Sequence, residues 1–561
     1  MAQSHSKLML EYIYEHEAAR KDHVFLTQPV GDGHVVDYTW GEMMDQSRRM
    51  ATHLKAQGFA PGSRIAILSK NCAHFIMAEM AIWMAGYVTV AIFPTESADT
   101  IRYVLDHCEA SLLFVGKLDT WPQQANAVTP GIPCISFPSS PQTSFPTWDD
   151  ITAKSHPIPG NPPRAANDLA MIMYTSGSTG QPKGVMHSFE RITRASEGIV
   201  NDSIGKLGRD HVRRILSYLP LAHVFERAWV ECTELIYGRG HVFFAESLET
   251  FLQDLQRSRP TVFVSVPRLW LKFQQGVFTK MPAKKLDRLL GIPILGKIVG
   301  RKVRAGLGLD AVIQAGSGSA PIPPALIAWY RKLGLNLLEG YAMTEDFGYS
   351  HSSSKTLQAP GHVGVALAGV DVRIADDGEV LIKSPGQLIG YYKRPDLDAE
   401  VFTADGFFRT GDLGELRPDG QLKLTGRKKE LFKTAKGKYV APAPIENRLN
   451  EHEMVELSLV SGVGQPAAFG MVVLAERLRP KLDDARMRTE IEAGLATLLK
   501  NVNAGLADYE RLRMLVVMRE PWSMENGCLT PTMKVKRARI EAMVTPSVDG
   551  WFEKKGEVLW A

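Results

Sequence analysis

The chain has 561 residues, of which 45% are hydrophobic and 22% are charged. This balance excludes a disordered or fibrous chain, and the length predicts more than one domain. The formal net charge of +4 is too small to indicate nucleic-acid binding, whereas anionic small molecules or a membrane surface would both suit it.

The N-terminal segment and the cysteines indicate a cytoplasmic protein. The first residues mix acidic, basic and apolar side chains and lack the apolar stretch of a secretory signal. The most apolar segment, 75–93, contains Glu79 and breaks at Gly86, which predicts a buried helix and a buried strand rather than a membrane span. Five cysteines without a CxxC pair predict reduced thiols, with neither a disulfide nor a metal cluster.

Short apolar, β-branched runs alternate with helical patterns along the first part of the chain. This alternation predicts an α/β fold with layered subdomains and largely buried sheets. After Val363 the pattern changes to strands with tight Asp-Gly turns, which predicts a β-rich subdomain at about 362–426. We therefore expect an N-terminal domain over 1–426 and a small, mobile α+β domain over 427–561. The apolar runs are 64–68, 87–93, 111–115, 170–173, 214–219 and 261–266.

The strongest local pattern is YTSGSTGQPKG at 174–184, directly after an apolar strand. Glycines let the backbone approach a phosphate, hydroxyls donate hydrogen bonds, and Lys183 adds positive charge. The loop is not a Walker A motif, because Pro182 precedes Lys183 and Gly184 follows it. We predict that the loop binds phosphate through Thr175, Ser176, Gly177, Ser178, Thr179, Gly180 and Lys183.

This loop resembles the signature loop of the adenylate-forming superfamily, in which it grips the β- and γ-phosphates of ATP. Further segments follow in the family's order over about 38–539. The segment LPLAHVFER at 219–227 resembles the long-chain acyl-CoA synthetase branch, and the residue at the position of His223 lines the carboxylate site in that family. For the adjacent Glu226 and Arg227 the simplest prediction is a local ion pair.

Two segments resemble the family's adenine site. In EGYAMTE, at 339–345, an aromatic ring beside glycine offers a stacking face for adenine, although Ala342 replaces the family's glycine. Thr344 can donate to the α-phosphate, and Glu345 is a suitable Mg²⁺ ligand. The resemblance assigns the pocket lining to Gly318, Ser319, Ala320, Glu339, Gly340 and Tyr341.

The last segments resemble those that contact ribose and couple the two domains. The resemblance makes Asp412, in RTGD, and Arg427, in GRKKE, ribose contacts, with Lys429 as the hinge. Gly437 would lie in the loop that serves thioester formation. In LTPTMKVKR, at 529–537, the catalytic lysine of the family corresponds to Lys534, in preference to Lys536.

Together the resemblances imply a long-chain fatty acid:CoA ligase. Such an enzyme uses ATP and Mg²⁺ to convert a fatty acid to acyl-AMP with release of pyrophosphate, and then transfers the acyl group to coenzyme A. The catalytic residues would be Lys534, Thr344, Glu345 and His223, with Glu345 as the metal ligand. A medium-chain or aryl acid:CoA ligase and a catalytically silent nucleotide-binding scaffold are the alternatives.

One further segment bears on location. Between Lys272 and Arg304 there are nine Lys or Arg residues and a single acid, Asp287, with apolar residues interleaved. Such a segment suits peripheral contact with an anionic membrane, and it equally suits a solvated helix pair packed on the core. We therefore expect a cytoplasmic enzyme, with the inner face of a membrane as a second location.

Overall fold

A computed structural model describes residues 7–176, 181–208, 212–530 and 533–561. The fold is mixed α/β, and a large N-terminal domain is followed by a smaller C-terminal one, as the alternation of apolar runs and helical patterns predicts. All five cysteines are buried free thiols. Among the described residues, no helix combines the length and apolar character needed to span a bilayer.

The largest sheet of the N-terminal domain has seven strands, and its inner neighbours pair in parallel. These strands are almost continuous apolar runs because helices cover both faces of a parallel sheet. At one edge two antiparallel strands are added. In spatial order the strands are Gly390–Tyr391, Pro182–Ser188, Leu169–Ser176, Val88–Ile92, Arg64–Leu68, Ala110–Val115 and Cys134–Ser136.

Three smaller sheets complete the N-terminal domain. The first contains His34–Thr39, Val24–Gly31, His241–Phe244 and Arg214–Ser217. The second contains Val262–Ser265, Gln314–Ser317, Leu337–Tyr341, His351–Ser352 and Val365–Ala366. The third is antiparallel and lies in the segment where tight turns predict β-structure; it contains Asp371–Ile374, Glu379–Lys383, Phe408–Leu416 and Leu422–Arg427.

The C-terminal residues build separate sheets and separate hydrophobic cores. A two-stranded hairpin and a four-stranded sheet lie after residue 431, and two apolar clusters there draw all their members from 432 onward. This is the behaviour expected of an independent domain. The strands are Phe432–Lys433, Tyr439–Val440, Val455–Ser461, Ala468–Leu474, Leu512–Val517 and Val558–Trp560.

Helices surround the sheets of both domains. The segment 75–93 is a fully buried helix followed by a buried strand, as predicted. N-terminal helices are Met9–Ala19, Trp40–Ala56, Ala73–Met84, Ala98–Cys108, Trp121–Gln124, Trp148–Lys154, Phe189–Leu207, Val224–Glu226, Thr233–Tyr237, Phe251–Ser258, Pro267–Lys280, Ala283–Leu290, Leu295–Gly306, Pro324–Lys332 and Pro395–Val401. C-terminal helices are Pro442–Asn450, Ala485–Ala504 and Arg537–Glu553.

The predicted ion pair between Glu226 and Arg227 is wrong. Adjacent residues of a helix point in different directions, so their side chains cannot face each other. Arg227, fully buried, instead binds the carboxylates of Glu79 and Glu231. Glu226 accepts hydrogen bonds from the Tyr218 amide at 3.0 Å and from Asn71, and burial raises its pKa to about 8.

The cluster of Arg227 with Glu79 and Glu231 is a buried group of three ionisable side chains in the core. Although burial acts to lower the pKa of Arg227, attraction to the two carboxylates raises it. Burial raises the pKa of Glu231 well above its usual value. Removing the guanidinium would therefore leave two buried carboxyl groups without their cation.

We predict that Arg227→Met lowers the free energy of unfolding by about 3–5 kcal/mol at neutral pH. In the folded variant the carboxyls must be protonated, whereas in the unfolded chain they ionise at their ordinary pKa. The folded state then binds more protons, so the variant should regain stability as the pH falls toward that ordinary value. Urea unfolding followed by tryptophan fluorescence at several pH values measures this.

Arg373→Met is the matched control, because Arg373 pairs with Asp405 on the surface, where both side chains are about half exposed. Exposed pairs contribute little to stability, so this variant should unfold like the parent. Equal losses in the two variants, or a loss in Arg227→Met that does not depend on pH, would contradict the account of the core cluster.

Candidate active site

The predicted phosphate loop connects two antiparallel strands. Thr175 pairs with Lys183, and Ser176 pairs with Pro182, at the end of the hairpin next to the loop. The hydroxyl of Thr175 is buried and has no hydrogen-bond partner among the described residues. The predicted residues Gly177, Ser178, Thr179 and Gly180 lie outside the described residues, as does the side chain of Ser176.

Lys183 and Glu345 lie on either side of Tyr391. The Lys183 ammonium donates to the Tyr391 hydroxyl at 2.9 Å and lies 4.2 Å from the centre of the tyrosine ring. The same hydroxyl donates to Oε1 of Glu345 at 2.8 Å. Lys183 and Glu345 are themselves 3.6 Å apart. A cation, a phenol and a carboxylate therefore form one chain of hydrogen bonds beside the phosphate hairpin.

Backbone contacts hold Tyr391 in this position. Its strand, Gly390–Tyr391, pairs with the strand that carries Lys183, and its amide donates to Asp398 at 2.8 Å. A side chain at Gly390 would lie 2.7 Å from the Asp398 carboxylate, on a backbone with a φ of +151°. Burial, followed by the effect of Glu345, raises the pKa of Tyr391, so its hydroxyl is a stable proton donor.

The segment that begins with Glu339 supplies both a carboxylate and an aromatic ring. Tyr341 ends the strand Leu337–Tyr341, and Thr344 and Glu345 follow in a short 3₁₀ turn. Glu339 is buried beneath this segment and accepts a hydrogen bond from the Ile322 amide, and burial raises its pKa to about 8. The backbone of Gly340 runs along His351, where a Cβ would meet the His351 carbonyl at 3.2 Å.

Asp412 connects Tyr341 to Arg427. The Tyr341 hydroxyl donates to Oδ2 of Asp412 at 2.6 Å, and Nε of Arg427 lies 2.9 Å from Oδ1. Asp412 and Arg427 are cross-strand neighbours in the antiparallel sheet. The Asp412 carboxylate is only 5% exposed, whereas the Arg427 side chain is 61% exposed. The buried carboxylate is thus satisfied by two donors from different segments.

Gly318, Ser319 and Ala320 follow the strand Gln314–Ser317 in a tight bend. Ser319 has a φ of +68°, a left-handed conformation that few side chains adopt. A side chain at Gly318 would approach the ring of Phe225 at 3.4 Å. The bend therefore lies against the segment that carries His223.

His223 and Lys534 come from different domains and affect each other electrostatically. His223 accepts a hydrogen bond from the Phe225 amide through Nδ1, and burial, then the charge of Lys534, lower its pKa to about 3. His223 is therefore neutral. Burial among protein groups, followed by the charge of Arg427, lowers the pKa of Lys534 to about 8. The carboxylates of Asp412 and Glu345 act to raise this pKa. Solvent still reaches part of the Lys534 side chain.

Two predicted residues lie away from these contacts. Lys429 belongs to the turn Lys428–Glu430 between the two domains. Gly437, with a φ of +76°, lies in the hairpin between Phe432–Lys433 and Tyr439–Val440. The neighbours of that hairpin include the turn at Gly464 and Gln465, within the C-terminal domain. The contacts of this hairpin that the structure describes therefore lie within the C-terminal domain.

The structure brings most of the predicted polar residues into two clusters. Lys183, Tyr391 and Glu345 form one, and Tyr341, Asp412 and Arg427 form the other. Members of both clusters act on the charge of Lys534, and we call the two clusters together with Lys534 the cleft residues. Sequence reasoning missed Tyr391. Its signal was a glycine directly before an aromatic residue, the same pattern that pointed to Tyr341.

Comparisons with known proteins identify the family and the fold. Residues 14–392 match the family model described as AMP-binding enzyme, and residues 430–556 match the AMP-binding enzyme C-terminal domain. The chain is 29% identical to long-chain-fatty-acid–CoA ligase FadD15 of Mycobacterium bovis, over 97% of this chain and 96% of the relative. It is 28% identical to the Homo sapiens long-chain-fatty-acid–CoA ligase 1, over 91% and 82% of the two chains.

Solved structures show the same fold. The adenylation domain of a carboxylic acid reductase from Segniliparus rugosus, in complex with AMP and a co-purified carboxylic acid, superposes with a TM-score of 0.81 at 22% identity. That comparison covers 98% of this chain and 95% of the reductase domain. Anthranilate CoA ligase AuaEII, in complex with anthranoyl-AMP, has a TM-score of 0.77 at 19% identity, over 97% and 98% of the two chains. With a family model matched over more than half of its length, this chain belongs to the AMP-binding enzyme family.

Proposed function

We propose that this protein is an AMP-forming long-chain fatty acid:CoA ligase. It activates the acid as acyl-AMP, releases pyrophosphate, and transfers the acyl group to coenzyme A. The proposal is supported by two clusters, Lys183 with Glu345 and Tyr341 with Asp412, from each of which a carboxylate acts on the charge of Lys534. A phosphate-binding cation, a metal-binding carboxylate and a partner for ribose are the groups that adenylation requires.

The choice of a long acyl chain is supported by the named relatives. FadD15 of Mycobacterium bovis and the Homo sapiens ligase 1, matched over 96% and 82% of their own lengths, are both long-chain-fatty-acid–CoA ligases, at 29% and 28% identity. Of the two solved structures compared above, at 22% and 19% identity, one is a ligase for anthranilate, so the fold itself accommodates aryl acids. A medium-chain or aryl acid:CoA ligase is therefore the second candidate.

The residues of the cleft fit Mg²⁺. Glu345 has one oxygen, Oε1, held by Tyr391, which leaves the other oxygen available as a ligand. Mg²⁺ in nucleotide sites takes one or two carboxylates together with phosphate oxygens and water, and the described residues contain no cluster of three or more acidic, histidine or cysteine ligands. Bound Mg²⁺ would neutralise phosphate charge.

In the first half-reaction an oxygen of the fatty acid carboxylate attacks the α-phosphorus of ATP, and the bond to pyrophosphate breaks. The carboxylate is already ionised, so no general base is needed, and the protein must instead supply positive charge to an anionic transition state. We assign that charge to Lys534 and a hydrogen bond to the Thr344 hydroxyl. Neutral His223 lines the position of the carboxylate without repelling or neutralising it.

ATP binding is assigned to the remaining predicted residues. Lys183 and the hydroxyls of the phosphate loop hold the β- and γ-phosphates, Tyr341 stacks on adenine, and Asp412 with Arg427 holds the ribose hydroxyls. The small residues of the 318–320 bend, together with Glu339 and Gly340, form the walls of the adenine pocket. For ribose to bind, its hydroxyls would have to share or replace the present partners of Asp412.

In the second half-reaction the thiol of coenzyme A attacks the acyl carbon, and AMP leaves with the oxygen that came from the acid. We propose that the domains divide at 426–427 and that the C-terminal domain turns about Lys429. This movement withdraws Lys534 and brings Gly437 to the cleft. The hydrogen bonds of the Gly437 hairpin to Gly464 and Gln465, within the C-terminal domain, would move with that domain.

The proposal includes a location. Buried thiols and the use of ATP and coenzyme A fit the cytoplasm. We also propose peripheral contact with an anionic membrane on its inner face, because the basic segment 272–304 carries nine cations against one acid.

The substrate assignment predicts a pattern of ATP–pyrophosphate exchange across carboxylic acids. Palmitate should support exchange and benzoate should not. Repeated release of AMP by each enzyme molecule should occur only when coenzyme A is present. Exchange with benzoate alone would favour the aryl acid ligase. Absence of exchange with every acid would favour a silent scaffold and overturn the proposal.

Lys534→Ala is predicted to separate the two half-reactions. Loss of a charge that acts only in the adenylation transition state should lower the rate of acyl-AMP formation by at least about 100-fold. Thioester formation from supplied palmitoyl-AMP should continue near the parental rate. Rapid-quench measurement of each step tests this, with Lys536→Ala as the neighbouring control, and equal loss of both steps would contradict the role of Lys534.

Tyr391→Phe is predicted to weaken Mg²⁺-dependent binding of ATP. The variant keeps the ring beside Lys183 but loses the hydroxyl that holds Glu345, and a hydrogen bond to a charged group corresponds to about a tenfold change in affinity. Calorimetric titration with ATP, in the absence of a carboxylic acid substrate, measures this with Mg²⁺ and again without it. The ratio of the two affinities should be about tenfold smaller in the variant than in the parent.

Tyr392→Phe is the matched control, since the adjacent ring stacks against His107. It should bind ATP like the parent under both conditions. An unchanged Mg²⁺ effect in Tyr391→Phe, or equal effects in both variants, would show that the Tyr391 hydroxyl does not position Glu345.

A further inference from the structure

A basic hairpin, formed by the helices Ala283–Leu290 and Leu295–Gly306, projects from the N-terminal domain. Its inner side is fixed to the protein. Leu286 is buried. A Cβ at Gly296 would lie 2.3 Å from the carbonyl oxygen of Leu290, and a Cβ at Gly300 would lie 2.9 Å from that of Leu333. Both glycines thus lie directly against neighbouring backbone. The hairpin is therefore a defined surface element of the domain.

The outer side of the basic hairpin is apolar. Ile292, Ile294, Leu295 and Ile298 are 44%, 75%, 39% and 50% exposed. Single exposed apolar residues are ordinary on protein surfaces, but four within seven positions form a continuous patch. Contiguous apolar patches of this kind mark sites of interaction with another surface.

The conformation of Ile294 strengthens this inference. Its φ of +66° lies in the left-handed region, which is unfavourable for a β-branched residue. Its side chain is mostly exposed, so packing within the protein does not compensate for this conformation. A glycine or an asparagine would stabilise the isolated protein more, which points to a role for the isoleucine outside the folded chain.

Positive charges surround the apolar tip. Three exposed cations precede it on the first helix and three follow on the second, and none of them forms an ion pair with a described residue. The one acid of the hairpin, Asp287, is paired with Lys332 at 3.0 Å, so it does not neutralise the group. The six cations are Lys284, Lys285, Arg288, Lys297, Arg301 and Lys302.

We infer that the basic hairpin docks the enzyme on an anionic phospholipid bilayer, with the isoleucines inserted among the headgroups and the cations on lipid phosphates. Apolar residues flanked by lysine and arginine are the combination that holds peripheral proteins at such surfaces. A second copy of this chain is a poorer partner, because a symmetric contact would bring two such sets of cations together.

Docking would give the proposed ligase access to its substrate. A long-chain acid partitions into bilayers, so an enzyme held at the headgroups meets it at a higher local concentration than in water. Only this benefit rests on the proposed function; the docking itself follows from the exposed hairpin and is measurable without catalysis.

The test is co-sedimentation of the full chain with phospholipid vesicles. The parent should bind vesicles of equal parts phosphatidylcholine and phosphatidylglycerol, bind phosphatidylcholine alone weakly, and dissociate at about 1 M salt, where charges are screened within roughly 3 Å. Ile294→Asn combined with Ile298→Ser should lower the partition coefficient by at least about tenfold, because two inserted apolar side chains are lost. Lys297→Glu combined with Arg301→Glu should remove the preference for anionic lipid.

Leu248→Ser is the matched control, since Leu248 is 90% exposed elsewhere on the same domain. It should bind vesicles like the parent, and no variant should unfold at a lower temperature than the parent. The inference is overturned if the parent ignores anionic vesicles or if the isoleucine variant binds them undiminished. It is also overturned if the two isoleucine substitutions change only the self-association of the free protein, measured as its sedimentation velocity, or only its binding to an acidic protein.

Pyrophosphate exchange with octanoate, a soluble acid, separates this inference from the proposed function. Hairpin variants should retain parental exchange with octanoate wherever the parent shows it. If no acid supports exchange while vesicle binding still depends on the isoleucines, the proposed function fails and the docking surface stands.

Discussion

The pair of contacts made by Asp412 is the interaction on which the arrangement of the cleft depends. Tyr341 donates to one oxygen of this carboxylate, and Arg427 pairs with the other. A buried carboxylate without partners is costly, so these contacts hold the end of one sheet, the edge of another and the start of the C-terminal domain together. The tyrosine ring and the arginine are thereby fixed on either side of one carboxylate.

The other charged residues of the cleft also have hydrogen-bonding or electrostatic partners within the protein. Lys183 and Glu345 are joined through Tyr391, so neither is left without a partner before nucleotide binds. Burial, and then the charge of Lys534 from the C-terminal domain, lower the pKa of His223 and keep its ring neutral. Under the proposed function, a metal ion or ribose would engage the carboxylates that balance the positive groups in the present structure.

Local patterns predicted much of this molecule, and long-range pairing is what they missed. The run 170–173 was enough to locate the strand Leu169–Ser176, because a buried strand must be apolar on both faces. The partner of Arg227 could not be found in the same way, since Glu79 lies 148 residues away and only the folded core brings the two together. Tyr391 escaped notice for the same reason: its role depends on strand pairing, not on spacing. The sequence of the basic segment predicted either membrane contact or a solvated helix pair, and the exposed isoleucines are the observation from which we infer membrane docking.

The most direct test of the central claim, that a carboxylate attacks the α-phosphorus of ATP in this cleft, follows an oxygen atom. Palmitate labelled with oxygen-18 in its carboxylate should transfer one labelled oxygen to AMP during turnover with ATP and coenzyme A, as mass spectrometry of the released nucleotide would show. Label in phosphate or pyrophosphate, or AMP without label, would mean that no acyl-adenylate forms and would contradict the account.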